Sequence, residues 1–308
     1  MMEWPAGAWQ PSAATQERIA ALIPVYREAA QQTLAPLIRR YYPAMQHDHP
    51  NEYRKMLELS TKMILVGHAC TEILAYPFDE RRRTISALYG GCCFLADSFV
   101  DDFGDEAARD YLERFGRLLR EGWFEPRTER ERLFYVVVSR LFGERDVLEP
   151  VLRQAIGLLY RAQEQDVTLR FADAPANRRA HLARLKDCAR NRSGHAIIVL
   201  ATFLVPEIGL RELSLIFSAG ALIMHIDDHG DCYADRRERR FTFMNQLRRP
   251  ERALKRLFVA HVKRLFGGMP AGSGRDLMIG FLTRYYVTRV AKHRQQRREG
   301  GYAWAVYE

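Results

Sequence analysis

The sequence has only five cysteines, Cys70, Cys92, Cys93, Cys188 and Cys232, an odd number with no CxxC spacing. That argues against a disulfide framework, and the thiols read as free ones in a reducing compartment. No run of eighteen apolar residues occurs, so no membrane-crossing helix is expected. The opening Met1-Met2-Glu3-Trp4-Pro5 lacks a basic segment followed by an apolar core, so no secretory leader is expected and the expected location is cytoplasmic. Period-two alternation never persists beyond a few residues, and there is no internal repeat or low-complexity tract. Negative charge is in deficit, with 38 Asp and Glu against 47 Lys and Arg and a net charge of +9. Such a balance is compatible with nucleic acid, an anionic membrane face or a polyanionic small substrate.

What is present is helical. With 308 residues, 47% of them hydrophobic and 28% charged, the chain can bury one sizeable core. Residues 1–15 read as an irregular N-terminal arm, and residues 16–308 as a single all-α domain of about ten helices. The periodicity predicts a helix from Glu17 to Leu37 broken at Pro24 and Pro36. A second runs from Asn51 to about Ala75, with Met56, Leu59, Met63, Val66 and Cys70 on one side. Further helices are predicted over Arg81–Asp105, Glu106–Arg120, Arg127–Phe142 and Leu148–Phe171. The region Ala176–Leu204 reads as helical with an interruption at Arg190-Asn191-Arg192-Ser193-Gly194. Glu207–Asp235, Pro250–Phe266 and Arg275–Arg298 complete the set, the last two separated by a glycine-rich loop. The small segment Gly90-Gly91-Cys92-Cys93 allows either close helix packing or room for a ligand.

Two acidic stretches organise this pattern. One is Asp97 followed by Asp101-Asp102-Phe103-Gly104-Asp105. The other is Asp227-Asp228-His229-Gly230-Asp231 followed by Asp235. Each contains a literal DDxxD and a triad at i, i+4, i+8. On a helix such a triad drifts by only about 80° and spans about 12 Å, so it forms a carboxylate ladder on one face. Like charges at this spacing destabilise a helix. Both ladders grow out of apolar helices, where unpaired carboxylates are costly unless a cation neutralises them. All the donors are hard oxygens, and no histidine or cysteine stands at a matching step, which favours Mg²⁺ or Mn²⁺ over zinc or iron.

Metals held this way bind polyphosphate and act as Lewis acids on a leaving diphosphate. Arginine completes such an anion clamp because its planar fork matches phosphate oxygens. The candidates are Arg190 and Arg192 at the expected helix break, Arg236, Arg237, Arg239 and Arg240 after the second ladder, and Arg284. Backbone N–H groups at Ser193-Gly194 would also point at the anion if the helix broke there. Tyr89, Phe94 and Met224, one to three turns upstream of the ladders, are candidates as a set for an apolar lining, with Phe217, Gly220 and Ile223 beside them; for any one of them ordinary core packing is the better explanation.

DDFGD and DDHGD, on helices at this separation, resemble the class I isoprenoid synthase superfamily. That group includes trans-prenyl diphosphate synthases, squalene and phytoene synthases, and class I terpene cyclases. The resemblance implies an α-helical bundle in which three Mg²⁺ ions, with Mn²⁺ as the alternative, bridge both motifs to a substrate diphosphate. Asp97, Asp101, Asp102, Asp105, Asp227, Asp228, Asp231 and Asp235 would be the ligands. Ionisation of an allylic diphosphate would start the reaction.

The branch is read from departures. Chain-elongating synthases usually carry two adjacent arginines after the first motif, where this chain has Glu106-Ala107-Ala108-Arg109-Asp110. Cyclases carry NDxxSxxxE as the second motif, and Asp227, Asp228, Asp231 and Asp235 fall at its N, D, S and E positions. Arg190, four residues before Gly194, is similar to the diphosphate-sensing arginine of cyclases. Arg284-Tyr285 is similar to their C-terminal Arg-Tyr pair, and Arg236 follows the last ligand. The resemblance therefore implies a terpene synthase, with a prenyltransferase that condenses two prenyl diphosphates as the alternative. Arg190, Arg236, Arg284 and Tyr285 would grip the diphosphate. The expected partner is a prenyl diphosphate and not nucleic acid, with a homodimer and peripheral membrane contact left open. Two other readings compete: a basic binding protein, which leaves both ladders unexplained, and a metal phosphohydrolase suggested by His225 and His229, whose spacing does not match the ladder.

Overall fold

The computed structural model describes residues 10–101, 104–144, 150–170 and 177–300; the side chains of Val100, Asp101, Asp105 and Arg170 also lie outside the described residues. Among the described residues there are eleven α-helices, one 3₁₀ turn and no strand, as the absence of period-two patterning led one to expect. The helices gather into two compact units.

One unit comprises residues 16–153 and 200–207. It is built from α1 (Ala13–Tyr41), α2 (Ala44–His47), α3 (Pro50–Ile73), α4 (Glu80–Asp101), α5 (Gly104–Glu121) and α6 (Glu129–Gly143). Helix α4 is its centre and packs on α3, α5 and α6. The small residues of α4 make this possible. A Cβ on Gly90 would sit 2.4 Å from the Ser60 Cα of α3, and one on Gly91 would meet Met56 and Leu34 within 3.0 Å. The glycine pair therefore serves close backbone approach and leaves no space for a ligand. Phe99, Tyr111, Phe115, Phe124 and Phe134 pack as a mutual aromatic cluster between α4, α5 and α6. Beneath it the buried Arg114 forms a two-pronged ion pair with Glu131, at 2.6 and 2.9 Å, while its Nε donates to Asp110 at 3.0 Å. Thr128 caps α6 by accepting from the Glu131 N–H.

Two sequence expectations fail here. Helix α1 begins at Ala13, inside the stretch read as an irregular arm, and it runs through Pro24 and Pro36 without ending. Each proline removes one backbone hydrogen bond. The buried stripe Ile19, Tyr26, Ala30, Leu34 and Ile38 keeps the helix docked regardless, because tertiary burial outweighs local propensity.

The other unit comprises residues 1–15, 154–199 and 208–308. It contains α7 (Pro150–Arg170), α8 (Arg178–Leu204), α9 (Leu210–Arg237), a 3₁₀ turn (Met244–Gln246), α10 (Pro250–Gly268) and α11 (Ser273–Gly300). Helix α9 is its centre, flanked by α10, α11 and the 3₁₀ turn. The expected interruption at 190–194 does not exist: α8 is continuous. Its glycine has another cause. A Cβ on Gly194 would lie 2.4 Å from the Phe217 ring, and one on Gly220 would lie 2.4 Å from the Ser193 carbonyl oxygen. The two glycines let α8 and α9 cross nearly backbone to backbone.

Candidate active site

The first ladder occupies the end of α4 and the start of α5. Asp97 is half-buried on α4. The remaining members expected there, Asp101, Asp102 and Asp105, lie outside the described side chains. Behind Asp97, burial pushes the Cys92 thiol up to about 12, with the Asp97 carboxylate adding to the effect. Burial likewise raises the Cys93 thiol and the Tyr89 hydroxyl well above their usual ranges. These groups stay protonated and are not nucleophiles. Tyr89 is 3% exposed and packs on Phe203. Phe94 is half-buried.

The second ladder is fully described. On α9, Asp227, Asp228, Asp231 and Asp235 are half-buried, while His225, Ile226, His229, Gly230, Cys232 and Tyr233 turn into the core. The carboxylates therefore rim the unit instead of reaching into its interior. Asp227 and Asp231 keep 37% and 31% of their side-chain surface open to water. Burial brings His225 and His229 down to about 3, helped by the charges of His261 on the first and His293 on the second. Among the described residues their ring nitrogens find no hydrogen-bond partner. They lie on the face away from the aspartates, which removes them as co-ligands of the ladder.

Helix α11 supplies the ladder's counter-ions. Tyr285, Arg289 and Lys292 stand at i, i+4, i+7, which is one helix face. The Tyr285 hydroxyl donates to Asp227 Oδ1. Arg289 Nη2 donates to the same oxygen and lies 3.4 Å from Asp231 Oδ2, while its Nε donates to the Tyr285 hydroxyl at 3.2 Å. Lys292 Nζ donates to Asp231 Oδ1. The glycine of DDHGD makes this contact possible: a Cβ on Gly230 would come within 2.7 Å of Arg289 Cδ. The aspartates are thus neutralised, at least in part, by the chain itself.

The predicted arginines divide. Arg284 is exposed, one residue off the face that meets the ladder, whereas its neighbour Tyr285 is on it. Arg190 is exposed too; it lies 3.4 Å from Asp187 and covers the Phe217 ring at 6.0 Å. Arg192 is buried in an ion pair with Asp166 at 3.0 Å, a structural role. Arg236 donates twice to the Asn245 carbonyl, at 3.1 and 3.3 Å, and so ties the end of α9 to the 3₁₀ turn. Arg240 pairs with Glu238 at 2.9 Å, and Arg237 and Arg239 are exposed. Met224 is half-buried one turn before Asp227. Sequence reasoning missed Arg289 and Lys292 as partners of the ladder. The signal available was their spacing from Tyr285 on a predicted helix.

Among the described residues no group of three or more His, Cys, Asp or Glu side chains is arranged to hold a metal ion. The second ladder's donor chemistry nevertheless fits Mg²⁺. That ion takes one or two carboxylates and keeps several waters, and half-exposed aspartates one helical turn apart offer that. Arg289 and Lys292 would then share the carboxylates with the ion.

No family model and no curated protein matches the chain. Solved structures do. A geranyltransferase from Legionella pneumophila superposes with a TM-score of 0.51 at 14% identity, over 90% of this chain and 99% of that one. A T. brucei farnesyl diphosphate synthase, complexed with a bisphosphonate, aligns over 92% of each chain at 14% identity, with a TM-score of 0.38 too low to carry an argument. The helical architecture and the near-complete coverage agree: this chain shares the all-α fold of the geranyltransferase.

Proposed function

We propose that this protein is a Mg²⁺-dependent prenyltransferase that joins two prenyl units with release of diphosphate. The observation that carries the proposal is the fold shared with a geranyltransferase along nearly the whole of both chains. The ladders support it, since they are aspartate-only and one of them has basic partners suited to a diphosphate. Asp97, Asp101 and Asp105, with Asp227, Asp231 and Asp235, would hold the ions, and Asp102 and Asp228 stand beside them. When bound, Mg²⁺ supplies Lewis acidity to the leaving diphosphate.

The chain's own groups do the rest. Arg289 and Lys292 offer N–H donors at the ladder, and both can turn from carboxylate to diphosphate oxygens without leaving their helix face. Tyr285 orients Asp227 through its hydroxyl, which stays protonated because burial raises it far above the ordinary phenol range. The allylic C–O bond breaks, the cation adds to the double bond of the second unit, and the proton lost goes to the departing diphosphate.

Cyclisation of a single prenyl diphosphate is the second reading. It is favoured by the four aspartates at the N, D, S and E positions of the cyclase motif and by the Tyr285–Asp227 hydrogen bond. A product assay separates the two. Purified protein with Mg²⁺ is given geranyl, farnesyl or geranylgeranyl diphosphate, each with and without isopentenyl diphosphate. Transfer gives a longer prenyl product, lost in Asp231→Ala. A hydrocarbon or terpene alcohol of unchanged carbon number establishes the cyclase instead. No turnover, together with no Mg²⁺-dependent diphosphate binding, overturns both.

A further inference from the structure

The basic excess of this protein is confined to one unit. Residues 1–15, 154–199 and 208–308 carry 27 Lys and Arg against 15 Asp and Glu, whereas the other unit carries 20 against 23. Within the basic unit α10 carries five of these basic residues against one acidic one. That helix buries Leu254, Phe258, Val262 and Leu265 and exposes Arg252, Lys255, Arg256, Lys263 and Arg264. At 3.6 residues per turn the first four of these five lie within about 100° of one another. Glu251 is the one acidic residue on α10, and it is already engaged by Arg294 of α11, whose Nε donates to it at 3.2 Å. Among the described residues the outward face of α10 is therefore a cationic stripe with no ion-pair partner of its own.

An apolar residue stands at the end of the stripe. Leu210, the first residue of α9, is 86% exposed, far above the other exposed large hydrophobics described. It is held beside the C-terminal end of α10: its neighbour Arg211 donates to the Gly268 carbonyl at 2.9 Å, and Arg264 donates to the Ser214 hydroxyl at 2.7 Å. A cationic helix face flanked by a projecting leucine has charge complementarity to a lipid headgroup layer, and the acyl boundary rewards the leucine. Nucleic acid would complement the charge but has no use for the leucine.

We infer that the outward face of α10, with Leu210 at its end, docks this protein peripherally on an anionic membrane surface. The inference stands apart from the proposed reaction, because none of these residues belongs to the ladders. No described helix is long and apolar enough to cross a membrane, so the contact is interfacial.

The test is co-sedimentation of the full chain with vesicles of phosphatidylcholine alone and of phosphatidylcholine containing one third phosphatidylglycerol. Binding is expected to the anionic vesicles only, and to weaken as salt is raised from about 0.1 M to about 0.5 M, where the screening length shrinks well below 10 Å. The triple variant Lys255→Gln, Arg256→Gln, Lys263→Gln is expected to lose about a hundredfold in partition coefficient, at about fivefold per charge. Leu210→Ser is expected to weaken binding at high salt, where the electrostatic part is screened. A control with the same charge loss on the other unit, Arg39→Gln, Arg40→Gln, Lys55→Gln, is expected to bind like the parent. Equal losses in control and triple variant, equal binding to neutral vesicles, or binding to duplex oligonucleotides without binding to vesicles would each overturn the inference. All five substituted or neighbouring basic side chains on α10 are exposed, so a folding defect is not expected, and circular dichroism of each variant checks that.

Discussion

Replacing Lys292 with methionine removes the ammonium from Asp231 while keeping the length of the side chain. Two consequences follow with different sizes. For stability the pair contributes little: Lys292 is 39% and Asp231 31% exposed, so solvent screening leaves it below about 1 kcal/mol. Arg289 still faces both aspartates, so their mutual repulsion adds only a few tenths of a kcal/mol. For a divalent ion the change is larger. A dication and an ammonium about 4 Å apart repel by about 2 kcal/mol even at the dielectric constant of water, a factor of about thirty in affinity. Lys292→Met is therefore expected to bind Mn²⁺ ten- to thirty-fold more tightly than the parent in the absence of diphosphate. Titration followed by electron paramagnetic resonance reads free Mn²⁺ directly, and the thermal midpoint is expected to move by no more than about 3 °C. The gain is expected to vanish in Lys292→Met combined with Asp231→Asn. Unchanged or weaker Mn²⁺ binding by a well-folded Lys292→Met would refute the idea that Lys292 and the ion compete for Asp231.

Other consequences concern the scaffold. Gly230→Ala would press a methyl group onto Arg289 and dislodge it from Asp227, so it is expected to reproduce the ion-binding gain of an Arg289→Leu variant. Matching Mn²⁺ titrations of the two variants check this. Gly220→Ala would drive a Cβ into the Ser193 carbonyl, and overpacking against backbone is expected to cost about 1–3 kcal/mol by urea denaturation. Arg114→Ala strands the buried Glu131 carboxylate and is expected to cost about 3–5 kcal/mol, whereas the double replacement Arg114→Met, Glu131→Leu is expected to recover much of that loss. His261, which shares its Nδ1 with the Ser218 hydroxyl and carbonyl, is held below its usual value of 6.5 chiefly by burial. The unfolded chain then takes up a proton near pH 6.5 that the folded chain refuses until lower pH. Stability is therefore lost as pH falls below about 6.5, and His261→Gln is expected to make that part of the urea midpoint profile shallower by one group's share, the lowered His225 and His229 supplying more of the slope.

Helix existence was legible almost throughout, because apolar residues recur at 3.6-residue spacing and the helical stretches are long. The failures came where one residue has two meanings. Pro24 and Pro36 signal breaks locally, yet the buried stripe of α1 holds the helix through both. Gly194 signals a break as well, but it is the seat of the Phe217 ring. In the same way Gly90 and Gly91 left a choice between packing and ligand space, and only the position of Ser60 settled it. Of the Arg284-Tyr285 pair, Tyr285 meets the ladder and Arg284 does not, because the docking of α11 fixes which face turns to α9.

Taken alone, the chain already determined that it would be helical and that the aspartates of its second acidic stretch, on one continuous helix, would share a face. Those are properties of short range: residues four apart in one helix must share a face wherever that helix ends up. Only the tertiary structure decided which charges answer the aspartates. Tyr285, Arg289 and Lys292 come from 58, 62 and 61 residues away from their partners in sequence, and no periodicity reaches that far. Their arrival depends on the rotation and register of α11 against α9, set by the packing of the apolar faces between them and by Gly230, whose missing side chain leaves room for Arg289.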